Sequence, residues 1–189
     1  MPALETIDIP LGFAAPDFNL LDTVSGETKN LQSLKGEKAT VVMFICNHCP
    51  FVIHIAEQLS QLANDYTNKG IAFIAISSND VEKYPADSPE KMTIFAEQYD
   101  FSFPYLYDET QAIAKAYKAV CTPDFSIFDA NLSCVYRGQL DDSRPGKHTP
   151  ITGNDIRQAL DAILAEKVVS DMQKPSIGCS IKWKGTAPY

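Results

Sequence analysis

The succession of apolar and polar positions predicts buried strands alternating with amphipathic helices. Residues 39–45 are an almost unbroken apolar run, the pattern of a strand covered on both faces. From 51 to 66, apolar residues fall at Val52, Ile55, Ala56, Leu59, Leu62, Ala63 and Tyr66, a helical spacing that Asn68-Lys69-Gly70 brings to a stop. Ile71–Ile76 reads as a second buried strand. A polar insertion from Ser77 to Asp87 then reaches Ser88-Pro89-Glu90, where an N-cap, a proline and an acid open a helix running to about Tyr99. A short strand at Tyr105–Tyr107 and a helix over 110–119 follow. Next comes a hairpin with arms 124–128 and 134–139 around Asp129-Ala130-Asn131. A helix over 154–167 closes the periodic part. Residues 12–36 read as extended segments and turns, and 168–189 as an aperiodic tail that wraps over the domain at 1–167 or mediates contacts. The order β-α-β-α-β-α-β-β-α predicts an α/β sandwich with a mixed sheet.

One junction in this pattern carries chemistry. Cys46-Asn47-His48-Cys49 lies where the strand at 39–45 gives way to the helix. Unpaired backbone N–H groups and the helix dipole stabilise a thiolate there, and the thiolate attacks disulfides and peroxides. The same Cys-x-x-Cys spacing also suits half of a zinc site, or two core cysteines. A four-ligand zinc site usually needs a second pair; here only His48, His54 and Cys121 are available to complete a cluster. The other cysteines are Cys121, Cys134 and Cys179, and with five in all at least one thiol stays unpaired if every disulfide is internal.

Composition narrows the setting. The 189 residues suffice for one domain with a sizeable core, and the net charge of −8 without a basic stripe argues against nucleic acid or an anionic membrane as partner. The N-terminus shows no signal peptide, and no apolar segment reaches bilayer-spanning length. A reducing, cytoplasmic location is therefore expected, where paired cysteines are usually catalytic or metal-binding.

Four separated features resemble one family. Ala15-Pro16-Asp17-Phe18-Asn19-Leu20, followed by Gly26 and Leu34-Lys35-Gly36, is similar to the opening of redoxin (AhpC/TSA) proteins. Cys46–Cys49 sits where thioredoxin-like proteins carry their redox pair. Thr122-Pro123 looks like the cis-proline loop that faces that pair, and Val135–Gln139 with Asp141-Asp142 looks like the hairpin of peroxiredoxin-like members with a CxxC motif. The resemblance spans about residues 12–165. It implies a thioredoxin-like three-layer α/β/α sandwich and thiol–disulfide oxidoreductase activity, with no cofactor beyond a redox-active Cys46–Cys49 disulfide.

Within that resemblance, Cys46 is expected to be the attacking thiolate, closest to solvent and to the free N–H groups. Cys49, one turn in and more buried, is the resolving thiol. His48 occupies the motif position where protein disulfide isomerase and DsbA carry histidine; it is expected to depress the thiolate pKa and make the couple more oxidising. The backbone of Thr122, before a cis Pro123, is expected to pair with an extended substrate. Cys121 is a candidate third redox thiol or a buried small hydrophobe, Cys134 a core residue, and Cys179 a candidate mobile resolving cysteine or an inert tail thiol. The partners implied are a disulfide-bearing protein, or a small thiol or hydroperoxide, together with a reducing or oxidising protein; oligomeric state is left open.

A peroxidase is the alternative. Peroxiredoxins carry Pro-x-x-x-Thr-x-x-Cys; with Cys49 as the peroxidatic residue, Cys46 stands at the Thr position and Val42 at the Pro position. Arg137 is the candidate cation for such a site. A third reading, from another class, is a non-enzymatic protein whose pair holds a metal or senses oxidation.

Overall fold

Short extended pieces precede the first long apolar run: β1 (Leu4–Glu5), β2 (Asn19–Asp22) and β3 (Thr28–Asn30). A single helical turn follows, α1 (Leu31–Leu34), fixed by a reciprocal capping box between Asn30 and Ser33. The apolar run then becomes β4 (Ala39–Phe44), and the helical spacing becomes α2 (Pro50–Tyr66). Gly70 ends the turn after α2 at φ 84°, a left-handed conformation that costs glycine little, and starts β5 (Ile71–Ser77). Beyond these lie α3 (Pro89–Gln98), β6 (Tyr105–Tyr107), α4 (Ala112–Ala116), β7 (Cys121–Thr122), β8 (Asp124–Asp129), β9 (Cys134–Gly138), α5 (Asn154–Leu164) and β10 (Ile177–Ser180). The computed structural model describes residues 3–188, and among them no helix is long and apolar enough to cross a membrane.

Seven strands form a mixed sheet in the order β3-β2-β6-β5-β4-β8-β9. β4 pairs in parallel with β5, and β5 with β6, while β8 runs antiparallel to β4. Alternate residues of β4 serve opposite faces. Val41 and Met43 pack with α2, α3 and α5, whereas Val42 and Phe44 pack with Leu31 of α1, Ala114 of α4 and Ile181. All six β4 residues are buried, which accounts for the uninterrupted apolar run. Each fully buried Val, Met or Phe side chain contributes about 1.5–3 kcal/mol of hydrophobic stabilisation. This is the three-layer α/β arrangement expected.

Three expectations are corrected. The helix over 110–119 shrinks to Ala112–Ala116, because Gln111 (φ 63°) and Lys118 (φ 51°) adopt left-handed conformations at its two ends. Gln111 is drawn into that position by its side chain, whose Nε2 donates to the carbonyls of Ser78 (2.6 Å) and Lys182 (2.9 Å). The last helix ends at Leu164 rather than near Lys167, with Glu166 at φ 55°. The tail, read as aperiodic, contains β10, the middle strand of a second sheet in the order β1-β10-β7.

Candidate active site

The chain leaves the sheet just before the cysteine pair: β4 stops at Phe44, and the Ile45 N–H still donates to the Ile76 carbonyl (3.0 Å). Cys49 is the N-cap of α2, Pro50 takes the first turn, and the Val52 and Ile53 N–H groups donate to the Cys49 carbonyl (3.0 Å each). Cys49, rather than Cys46, therefore stands at the positive end of the helix. Cys46 is not the solvent-facing sulfur either, since Cys46 is 1 % and Cys49 0 % exposed. One ground for making Cys46 the attacking thiolate is thus corrected, because Cys49 is the N-cap of α2 rather than a residue one turn in; the two sulfurs are too alike in exposure to separate them on the other.

β7 approaches from the other side. The Thr122–Pro123 peptide is cis, in line with the resemblance. Both sulfurs meet Thr122: Cys46 Sγ lies 3.4 Å from its hydroxyl, and Cys49 Sγ donates to its carbonyl (3.2 Å). The pairing edge expected for substrate is occupied by the chain itself, since β10 lies antiparallel on β7 with Cys179 opposite Thr122 and Ser180 opposite Cys121.

The sulfurs titrate as a group. Cys49 is drawn down to about 5, first by the hydrogen bond from the Cys46 thiol, against the effect of burial. Bonds from the Cys179 side chain and N–H, and from the Val52 N–H, add to this. Cys46 is pushed well up, by the bond it gives to Cys49, by burial and by the negative charge of Asp87. The Thr122 carbonyl acts against the Cys49 charge, since it accepts from a thiol and repels a thiolate. The donors around Cys49 outnumber it and favour negative charge at Cys49 over Cys46.

His48 is held by a residue that sequence reading passed over. Its Nδ1–H donates to Asp87 Oδ2 (2.6 Å), and its ring stacks on Tyr84 at 5.6 Å between centroids. The Asp87 bond raises the His48 pKa. Asp87 lies fully buried at the end of the polar insertion and also accepts from the Asn47 N–H (2.8 Å), the His48 N–H (3.3 Å) and Asn79 Nδ2 (2.8 Å). Burial pushes this carboxyl up, but those bonds prevail and hold it low. Tyr105 completes the frame, its hydroxyl donating to Asn47 Oδ1 (3.0 Å). The available signal was polar density: Asn79, Asp80 and Asp87 are buried in a segment whose composition reads as loop.

Donor atoms of Cys46, His48 and Asp87 lie within 4.8 Å of one another. Such a set suits zinc with one open position, although His48 and Asp87 already satisfy each other. Neither His54 nor Cys121 joins the group. Cys121 is buried, and burial pushes its thiol up, as expected of a small core residue; Cys134 is likewise buried and pushed up to about 12. Arg137 is corrected as a candidate for the peroxide site. Its guanidinium is committed to Asp124 Oδ2 (3.2 Å), Ser126 Oγ (2.9 Å) and the carbonyls of Lys118 (3.1 Å) and Ile7 (3.2 Å).

Residues 11–137 match the profile of the AhpC/TSA family. The chain belongs to the AhpC/TSA family. It is 30% identical over 155 residues to the Thioredoxin-like protein YneN of Bacillus subtilis, covering 82% of this chain and 81% of the relative. A conserved protein of Geobacillus kaustophilus is 59% identical, with a TM-score of 0.97 over 99% of both chains. The thioredoxin domain of a thiol-disulfide oxidoreductase from Bacteroides vulgatus has the same fold. Its TM-score is 0.58 at 19% identity, over 69% of this chain and 89% of that one. This AhpC/TSA member is therefore a thioredoxin-like redoxin.

Proposed function

We propose that this redoxin is a thiol–disulfide oxidoreductase whose working couple is Cys46–Cys49. The observation that carries the reading is the convergence of both sulfurs on Thr122, the residue before cis Pro123, one at its hydroxyl and one at its carbonyl. The division of labour follows the electrostatics. The Cys49 thiolate attacks one sulfur of a substrate disulfide, and the other sulfur leaves as a thiolate. Cys46 then attacks Cys49 Sγ, which forms the internal disulfide and releases the substrate's second thiolate. The Cys46 proton passes to the adjacent His48–Asp87 pair. Substrate is a disulfide-bearing protein or small disulfide, and a thiol partner returns the couple to the dithiol. A thiolate stabilised at Cys49 favours the reduced form, so the couple is more oxidising than thioredoxin's, above about −270 mV.

Insulin disulfide reduction with dithiothreitol as donor tests this. Cys49→Ser abolishes turnover, whereas Cys46→Ser combined with Cys179→Ser accumulates a mixed disulfide through Cys49. Trapping through Cys46 instead would reverse the order of attack, and a wild-type protein unable to form the Cys46–Cys49 disulfide would overturn the reading.

One observation favours thiol peroxidase as the second reading: Cys49 caps α2 and is drawn down to about 5. Against it stand Cys46 at the Thr position and the commitment of Arg137 elsewhere. Consumption of hydrogen peroxide with dithiothreitol, and a sulfenic acid on Cys49, would establish it.

A further inference from the structure

Cys46 and Cys49 are buried, and the free edge of Thr122 is covered by β10. Of the five cysteines, Cys179 on that strand is the one half-exposed; the other four are buried. β10 is also fastened along its length. The Ser176 hydroxyl donates to the Pro123 carbonyl (2.6 Å), the Ile181 N–H donates to the Val120 carbonyl (2.9 Å), and β1 pairs along the strand's outer side. Gly178 fits against the loop so closely that a Cβ there would lie 1.9 Å from the Thr122 carbonyl oxygen. Cys179 lies opposite Thr122 in register, against the cluster that holds Cys46 and Cys49, and the Cys49 sulfur bonds the carbonyl of that same Thr122.

We propose that Cys179 is a third redox thiol, the relay through which an external thiol reaches the buried Cys46–Cys49 couple. The proposal rests on the oxidoreductase reading and deepens it by naming where the reductant enters. In the oxidised protein, Cys179 attacks Cys49 Sγ. The Cys49–Cys179 bond forms, the Cys46–Cys49 bond breaks, and Cys46 leaves and takes up the proton that Cys179 gave up. This is an isomerisation with no net redox change. An external thiolate then attacks the half-exposed Cys179 sulfur, and Cys49 departs as the thiolate its surroundings stabilise, which makes it a fast leaving group. A second external thiol releases the first as a disulfide and restores the Cys179 thiol. Two thiols are oxidised and one internal disulfide is reduced.

The strand thus plays the part that an added substrate strand plays in other peptide-binding edges, and it brings its own cysteine to the position such a substrate would fill. Cys179 is only partly buried, at the rim of the core, and serine there keeps its size and shape.

Two measurements test the relay. Cys46→Ser, oxidised with diamide in the presence of glutathione and mapped by mass spectrometry without reduction, should yield an intramolecular Cys49–Cys179 disulfide. In the second, oxidised Cys179→Ser and wild type are reduced with glutathione, and the loss of the Cys46–Cys49 disulfide is followed by alkylation. The variant should react at least about tenfold more slowly at an unchanged melting temperature. A Cys49–glutathione adduct in place of the internal bond, or equal reduction rates in variant and wild type, would overturn the relay while leaving the oxidoreductase reading intact. Failure of the wild type to form Cys46–Cys49 would instead remove the parent reading.

Discussion

Two buried carboxylates flank the sulfur site, each facing a cation, and they behave in opposite ways. Asp87 accepts four hydrogen bonds, from His48 Nδ1, Asn79 Nδ2 and the N–H groups of Asn47 and His48, and is held below the usual carboxylate range. Asp124, directly after Pro123, faces Arg137 through Oδ2, while its Oδ1 has no partner among the described residues. Burial pushes Asp124 up to about 6, and Arg137 with the Val120 N–H offsets only part of that. A full positive charge beside Asp124 thus does less than a set of oriented donors around Asp87. Four donors together, the His48 ring first among them, hold Asp87 low, whereas the contact with Arg137 leaves Asp124 pushed up by burial.

The largest effect expected from this contrast is at Arg137. Arg137→Met leaves Asp124 buried without its cation and strips three further acceptors, costing about 3–5 kcal/mol at pH 7 by chemical denaturation. Adding Asp124→Asn should recover part of the loss; no recovery would mean that Asp124 is uncharged in the wild type. Asp87→Ala leaves the Asn47 N–H and Asn79 Nδ2 unpaired and should cost about 2–3 kcal/mol. It should also slow disulfide exchange by misplacing His48.

A smaller effect, but the sharper one, is the pH dependence. The folded pKa of Asp124 is raised above the unfolded value of about 3.9, so the folded state binds more protons and stability falls as pH rises from about 4 to 6. Asp87 has the opposite sign. Its folded pKa is depressed, so its contribution is present above about pH 3.9 and is lost as pH falls through the lower folded value. Melting temperatures of Asp124→Asn and Asp87→Asn relative to wild type, measured from pH 3 to 7, should therefore slope in opposite directions. Parallel slopes would remove the contrast. The smallest effect belongs to His48→Gln. The raised folded pKa of His48 means its contribution is full below about pH 6.5 and disappears as pH rises through the folded value. The melting-temperature difference should close on going to alkaline pH.

The parts legible in sequence are those with local signals. The apolar run of β4, the helical spacing of α2, Thr122-Pro123 and the Cys46–Cys49 spacing each declare themselves within a few residues. The assignment of roles to the sulfurs turned on a finer matter, where each sulfur stands relative to a helix whose start the sequence already placed at about Pro50. Cys49 is the N-cap of that helix, not a residue one turn in, so the dipole acts on Cys49. Asp87 was hidden by distance, because its partners Asn47 and His48 lie some forty residues upstream in a separate loop. β10 was hidden by brevity: Ile177–Ser180 contains a glycine, shows no alternation, and pairs with only two residues of β7. Pairings of that kind depend on tertiary context rather than on propensity.

Gly178 gives the strap over the site a mechanical property. With the Thr122 carbonyl oxygen 1.9 Å from where its Cβ would be, the two backbones are in closest approach at the residue beside Cys179. A single methyl group there acts as a wedge. Gly178→Ala pries strand and loop apart and changes none of the three sulfurs, which would turn a chemical relay into an instrument that registers the spacing between two peptide planes.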